Sequence, residues 1–295
     1  MSLELPLHQH GKSRVKVART WRVGDTHHFV EWQVATMLES SMEPAFKQGD
    51  NSGMTATDTQ KNTVYVIAQR MSHRCSCEEY AIALARHFVL HYPLVSKAKI
   101  MVEQKPWARV HLHGQPHEHG YSVTGTEVRT CYVTYDRDGQ LEVTGGLKDM
   151  QVLKTTQSGY EGFLHDEFTG LPDCTDRILA TSMTSSWKYS RAPACYDAAF
   201  DAVKQAVSDG FFGPVRGGVY SPSMQSTLWG MGQLIMARVP EVVSVFFNTP
   251  NLHFLPCAPK TSTFKDDVYV ATSEPHGNIQ CVITRGATAP HLSKL

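Results

Sequence analysis

Two distant stretches of this chain carry the same order of signals. An amphipathic stretch, Glu78–Tyr92, runs into Pro93-Leu94-Val95, then an apolar strand, then Pro106. A second, Ser223–Val239, runs into Pro240-Glu241-Val242, then apolar Val243–Phe247, then Pro250. Proline lacks a backbone N–H and its ring clashes with the preceding turn, so each helix must stop at the same relative place. The echo predicts two copies of one unit, each with strand hairpins and a helix pair on one side, an α+β architecture. The boundary is expected near Gly145-Gly146, which gives domains 1–145 and 146–295. The length of 295 residues allows two such domains.

Charge and cysteine usage narrow the setting. The 28 Lys+Arg balance 28 Asp+Glu, so nothing electrostatic points to nucleic acid or a membrane surface. No apolar run approaches the roughly 18–20 residues of a bilayer span, so no membrane insertion is expected. The N-terminal residues lack the basic region and apolar stretch of a secretory signal. Seven scattered cysteines are an odd number and too sparse for a disulfide framework, which predicts reduced thiols in an intracellular compartment. The final Ser293-Lys294-Leu295 matches a peroxisomal address read by an import receptor. Peroxisomes house oxidases that release hydrogen peroxide, which tilts the expectation toward oxidation chemistry.

Periodicity places the local elements. Val15–Val17 and Phe29–Val34 read as strands joined at Gly24-Asp25. Thr57-Asp58 reads as the N-cap of a helix over Thr59–Arg70. Lys99–Val102 and Ala108–Leu112 read as strands around Pro106. Val128–Tyr135 and Gln140–Val143 read as a hairpin, and Gln151–Thr155 as a separate strand. Arg177–Tyr189 reads as mixed and extended. Cys195–Phe211 reads as a helix ended near Gly213-Pro214.

Several familiar chemistries have no motif here. There is no Gly-x-Gly-x-x-Gly, no Gly-x-x-x-x-Gly-Lys-Ser/Thr loop and no Gly-x-Ser-x-Gly elbow. Cys75-Ser-Cys77 is too closely spaced for a zinc knuckle. His111, His113, His117 and His119 cluster, and on a strand His117 and His119 would share a face. The next carboxylate, Glu127, lies eight residues past His119, beyond the reach of a metal-barrel motif, so hydrogen-bonded structural histidines are the plainer reading. The polar block around Asp50–Tyr65 fits a capped helix start, and Asn251-Leu252-His253 fits a strand end that presents side chains to a cleft. By themselves these residues leave structural and functional roles open.

Together, these segments resemble the urate oxidases. The matching stretches are Gly11-Lys12-x-x-Val15-x-Val17, Asp50-Asn51-Ser52 with Ala56-Thr57-Asp58-Thr59-x-Lys61-Asn62-Thr63-Val64-Tyr65, and Trp107-x-Arg109. They continue in order through Gly114-Gln-Pro116-His117-x-His119, Val152-Leu-Lys154-Thr-Thr156, Asp176-Arg177, Tyr220-Ser-Pro222-Ser-Met-Gln225 and Pro250-Asn251-Leu-His253-Phe254. His117-Glu-His119-Gly120 and Phe264-Lys-Asp-Asp-Val-Tyr269 look like plant-type members. The resemblance implies two tandem tunnelling-fold (T-fold) domains, antiparallel sheets with helix pairs packed on the outside, forming barrels on oligomerisation. It implies a homotetramer with active sites at subunit interfaces. The implied reaction converts urate, O2 and water to 5-hydroxyisourate and hydrogen peroxide, with no cofactor and no metal.

The resemblance also implies residue roles. Arg177 would grip one edge of the urate anion with two parallel hydrogen bonds. Gln225 would meet the opposite edge, since a carboxamide both donates and accepts, and the Met224 amide would add a donor. Lys12, Thr57 and His253 would form a proton relay beside the purine. Asn251, with Thr57, would hold dioxygen and then water, and the Asp58 amide would reach the purine from a neighbouring subunit. Tyr160 stands where the family usually has a phenylalanine that stacks on the purine. Gly170 is a second departure from the family pattern, and Ser190–Tyr196 is shorter than in plant-type relatives. Two other readings follow from these features: a non-catalytic purine-binding relative, and a metal-dependent hydrolase of the related tunnelling-fold cyclohydrolases, which would need zinc with three protein ligands.

Overall fold

A long hairpin opens the chain: β1 (Gln9–Val23) and β2 (Thr26–Ser40) turn at Gly24-Asp25 and pair antiparallel. The computed structural model describes residues 3–71, 74–257 and 267–286. The chain divides into two compact units, Met1–Met150 and Gln151–Leu295. In the first, α1 (Glu43–Lys47), α2 (Thr57–Arg70) and α3 (Cys77–His91) follow the hairpin. Then come β3 (Val95–Gln104), a small hairpin of β4 (Trp107–Leu112) and β5 (Gln115–Val123), β6 (Val128–Asp136) and β7 (Leu141–Lys154). The antiparallel order is β1-β2-β3-β6-β7, with β1 at the edge.

The second unit contains β8 (Leu179–Tyr189), α4 (Tyr196–Phe212), α5 (Met224–Arg238) and β9 (Val242–Pro250). A small hairpin of β10 (His253–Pro256) and β11 (Tyr269–Thr272) precedes β12 (Asn278–Thr284). Strands pair in the order β8-β9-β12, with β12 at the edge. In chain order, two strands, two long helices, a strand, a small hairpin and a strand occur twice, from β1 to β6 and from β7 to β12. The Pro-marked echo of the sequence is the centre of this repeat.

Each helix pair stays in place through a few large buried groups. Helix α3 starts with a capping box: the Ser76 hydroxyl accepts from Glu79 N–H, and the Glu79 carboxylate accepts from Ser76 N–H. Its buried stripe of Tyr80, Ala81, Leu84, Ala85 and Phe88 follows the helical period. The Tyr80 ring stacks on Trp32 of β2 at 4.6 Å, and its hydroxyl donates to the Val64 carbonyl of α2. Burying each such ring stabilises the fold by about 1.5–3 kcal/mol. The Glu78 carboxylate, 0% exposed, accepts from the Arg129 guanidinium of β6 at 2.6 Å, which ties α3 to the sheet. In the second unit Trp187 and Phe200 pack together, and the Trp187 indole donates to the Tyr189 hydroxyl.

Several expectations need correction. Helix α2 begins at Thr57, and extended Ala56 takes the N-cap place with no side-chain bond. Thr57 and Asp58 are therefore the first helical residues, not the cap. Gln140–Val143 and Gln151–Thr155 are not separate strands, because β7 runs through both. Within it Gly145 pairs with Cys131 and Gly146 with Thr130, so the sheet itself carries the chain past that glycine pair. The two compact units divide at Met150/Gln151, close to the expected boundary. The Arg177–Tyr189 stretch is a regular strand from Leu179 onward. Among the described residues no disulfide joins any two cysteines. Among the described residues no helix is long and apolar enough to cross a membrane. Ser293, Lys294 and Leu295 lie outside the described residues.

Candidate active site

The residues singled out from the sequence fall into two groups, one in each unit. In the first unit, Lys12 sits on β1 just before an irregularity. Lys12 pairs with Thr36, but Val15 pairs with Val34, so Ser13 and Arg14 together face only Ala35. Arg14 takes a left-handed φ of 60° to absorb the extra residue. Such a bulge bends the strand and re-aims the side chains beside it. Gly11 is required next to it, since a Cβ there would lie 1.9 Å from the Thr36 carbonyl oxygen.

Hydrogen bonds tie this bulge to the start of α2. The Lys12 N–H donates to Thr36 Oγ1 at 3.2 Å, and that hydroxyl donates to Gln60 Oε1 at 2.7 Å. Gln60 is in the first turn of α2 and 0% exposed. The His10 ring lies 2.7 Å from the Thr55 carbonyl oxygen, a second tie to the residues before the helix. Lys61 holds the Asp58 carboxyl below the usual carboxylate range, chiefly by hydrogen bonding and then by charge, and the Lys12 ammonium adds to this. Lys12 is thus within electrostatic reach of the helix start that carries Thr57 and Asp58. The first amides of a helix have no intrahelical acceptor. With alanine at the N-cap they lack a side-chain acceptor too, and Thr57 and Asp58 are exposed. Exposed donors at the positive end of the helix dipole suit an anion.

In the second unit, Arg177 precedes β8 and is half-buried. Its N–H donates to the Ser158 carbonyl at 2.8 Å, and its guanidinium lies 5.3 Å from the Tyr160 ring centroid. Tyr160 bridges to Cys174 and stacks on Phe163 at 4.6 Å, which in turn stacks on His165. A parallel bridge between Ser158 and Ser221 leads to α5. There Ser223 is the N-cap, its hydroxyl accepting from Ser226 N–H. Met224 and Gln225 open the helix, the first with a buried side chain and the second exposed. Asn251 follows β9, bridges to Thr181 at the start of β8, and donates its N–H to the Gly277 carbonyl. His253 opens β10, opposite Thr272.

Among the described residues, three buried polar atoms around this second group lack a partner: Ser158 Oγ, Arg177 Nε and Asn251 Oδ1. Buried donors and acceptors in native proteins are nearly always paired, so each orphan calls for an explanation such as a ligand or water. A planar donor beside a ring able to stack suits one polar edge of a flat heterocycle, and an amide oxygen without a partner suits a donor on a ligand.

The histidine cluster is built differently. His117 and His119 share a face of β5 with rings edge-to-face at 4.5 Å. The Arg109 guanidinium donates to the His117, Glu118 and His27 carbonyls and to the Tyr121 hydroxyl, which fixes this hairpin to β2. Among the described residues no three His, Cys, Asp or Glu side chains group as a metal site would require.

Lys12, Thr57 and Asp58 belong to the first unit, whereas Tyr160, Arg177, Met224, Gln225, Asn251 and His253 belong to the second. Sequence reading missed the supports of these residues: Thr36, Gln60, Ser158 and Ser221. Single serines and threonines in strands and loops carry no local signal of the partner that they will find.

Comparison with known proteins bears on the whole chain. A model of the family described as Uricase matches residues 8–134 and 143–280. The chain is 44% identical over 291 residues to Uricase-2 isozyme 2 of Glycine max, covering 94% of each. It is 42% identical over 293 residues to the Uricase of Arabidopsis thaliana, again 94% of each. Its structure superposes on crystalline Uricase from Arthrobacter globiformis with a TM-score of 0.89 and 29% identity, covering 99% of each chain.

Proposed function

The chain belongs to the uricase family and is an enzyme that oxidises urate, and we propose that it does so with dioxygen alone, without a metal or organic cofactor. Its fold is α+β, two tunnelling-fold units in tandem. Urate, O2 and water give 5-hydroxyisourate and hydrogen peroxide: two electrons pass from the purine to oxygen, and water supplies the new C–O bond. With no cofactor, the substrate is the reductant, so the protein must hold urate as an electron-rich anion. Preorganised donors do that. The orphaned Arg177 Nε and Asn251 Oδ1 carry this reading.

In this reading Arg177 binds one edge of urate and Gln225, with the Met224 amide, binds the other, while Tyr160 stacks on the ring. Asn251, with Thr57, holds dioxygen and then the attacking water. Lys12, Thr57 and His253 move the protons. The Asp58 amide belongs to a neighbouring protomer, so the pocket is completed by assembly into a homotetramer. Support for assembly comes from β1, a strand of 15 residues at a sheet edge, and from exposed Val282 on the edge strand β12. Unpaired edges of that length are usually covered, and pairing them into barrels would do so. The intact Lys12–Thr57 group weighs against a non-catalytic purine binder, which has no use for proton transfer.

Two experiments test this. Chelator-treated protein mixed with urate in air is expected to lose the ultraviolet band of urate while peroxide forms in equal amount. An activity that disappears with the chelator and returns with added metal would sink the cofactor-free reading. The proposed location is the peroxisome, supported by Ser293-Lys294-Leu295 and by the peroxide product. A fluorescently tagged chain lacking those three residues is expected to remain outside peroxisomes, and its continued import would refute the address.

A further inference from the structure

We propose that Lys154 is a positioning residue that sets the spacing between the two urate-gripping residues, Arg177 and Gln225. This rests on the site reading above. Lys154 ends β7 and lies in the Val152-Leu-Lys154-Thr-Thr156 stretch, to which the reaction assigns no role. Its ammonium donates to Ser221 Oγ at 2.7 Å, to the Val219 carbonyl at 2.8 Å and to the Phe211 carbonyl at 3.2 Å. It also lies 5.4 Å from the Phe211 ring centroid. An ammonium has three donors, so this one is saturated. A lysine held in that way serves as a strut, with no proton left to offer to a substrate.

What it gathers is otherwise soft. Phe211 is in the last turn of α4, and the chain from there to Ser221 passes through Gly213, Gly217 and Gly218, all at positive φ. Lys154 clamps both ends of this glycine-rich segment. Ser221, 2% exposed, is the branch point. Its N–H donates to the Gln157 carbonyl at 2.9 Å, and its carbonyl accepts from Gly159 N–H at 3.0 Å. Between those two residues, the Ser158 carbonyl accepts from Arg177 N–H. Close packing admits no side chain at 159, since a Cβ there would meet the Tyr220 hydroxyl at 2.0 Å. On the other side, Thr227 Oγ1 of α5 donates to Ser221 Oγ at 2.7 Å, and Ser223, the cap of Gln225's helix, is two residues on. Lys154 therefore reaches Arg177 by one arm and α5 by the other. Burial lowers the pKa of the ammonium, so the three bonds offset an unfavourable desolvation.

The test uses the full chain and four variants, Lys154→Met, Lys154→Arg, Ser221→Ala and Arg177→Ala. Urate affinity is measured anaerobically, and kcat, KM and the thermal midpoint are measured in air. Misplacing a binding group by about 1 Å can weaken its action on the order of 100-fold. Lys154→Met is expected to weaken urate affinity about 10- to 100-fold and to raise KM in step, with kcat at saturating urate within about threefold. Lys154→Arg should restore part of the affinity, and Ser221→Ala should weaken it about threefold to tenfold. A Lys154→Met protein that melts earlier but binds urate normally would show a merely stabilising lysine and overturn the proposal. If Lys154→Met does not fold, Ser221→Ala decides by the same measure. Normal affinity in Arg177→Ala would bring down the site reading, and the proposal with it. Weakened affinity in Arg177→Ala alone would leave the reading standing and refute only Lys154.

Discussion

Replacing Lys12 by alanine is expected to lower kcat on the order of 10²- to 10⁴-fold, the range for losing a positioned proton-transfer group. Thr57→Val should do the same, because it removes the hydroxyl and keeps the shape. Urate should still bind to both, since the proposed site grips its edges with Arg177 and Gln225. Neither side chain is part of the core: Thr57 is exposed and Lys12 half-buried, so the fold should persist. The loss then reads directly as transition-state stabilisation, through kcat and KM measured separately. Lys12→Arg should rescue little, because a guanidinium stays protonated and cannot relay. Near-normal kcat in either Lys12→Ala or Thr57→Val would remove that residue from the relay. A raised KM with normal kcat would make it a binding residue instead.

The largest loss of stability is expected at Glu78. Its carboxylate is inaccessible and meets Arg129 through two contacts, Nη2 to Oε2 at 2.6 Å and Nε to Oε1 at 3.4 Å. The Cys77 thiol donates to the same carboxylate, and burial keeps that thiol protonated by pushing its pKa well up. Removing one partner strands a buried charge, so Glu78→Ala should destabilise the fold by about 3–5 kcal/mol. Replacing both partners, with Glu78→Leu and Arg129→Met, should recover most of that loss, since a well-packed apolar pair avoids desolvating two ions. Urea unfolding of the single variants and the double variant completes the cycle. A single Glu78 variant within about 1 kcal/mol of the parent would mean that water reaches the pair and screens it.

The sequence showed α3, α4 and α5 with their proline or glycine stops, because burial on one face imposes a period that composition preserves. It showed the repeat for the same reason. The strands were less legible. β1 has only Val15 and Val17 buried along its length, so its alternation fades outside that pair. β10 and β11 have no fully buried residue and β12 has one, Ile283, so solvent leaves almost no pattern there. For the site, motif order supplied the residues proposed to react. Neither pattern nor motif revealed the bulge after Lys12, which depends on how β1 registers against β2. Gln60 and Ser221 stayed hidden too, since their roles come from partners 24 and 67 residues away.

Ala56 at the start of α2 has one more consequence. A helix that begins with serine or aspartate satisfies its own first amides, and lacking such a cap leaves it about 1 kcal/mol less stable. A protein engineer seeking a tougher enzyme would choose Ala56→Ser early. Yet the amides that a serine would occupy belong to the same helix start whose Asp58 N–H is proposed above to meet urate. On the proposed site, thermal robustness and substrate capture compete for one set of donors, and alanine leaves them open.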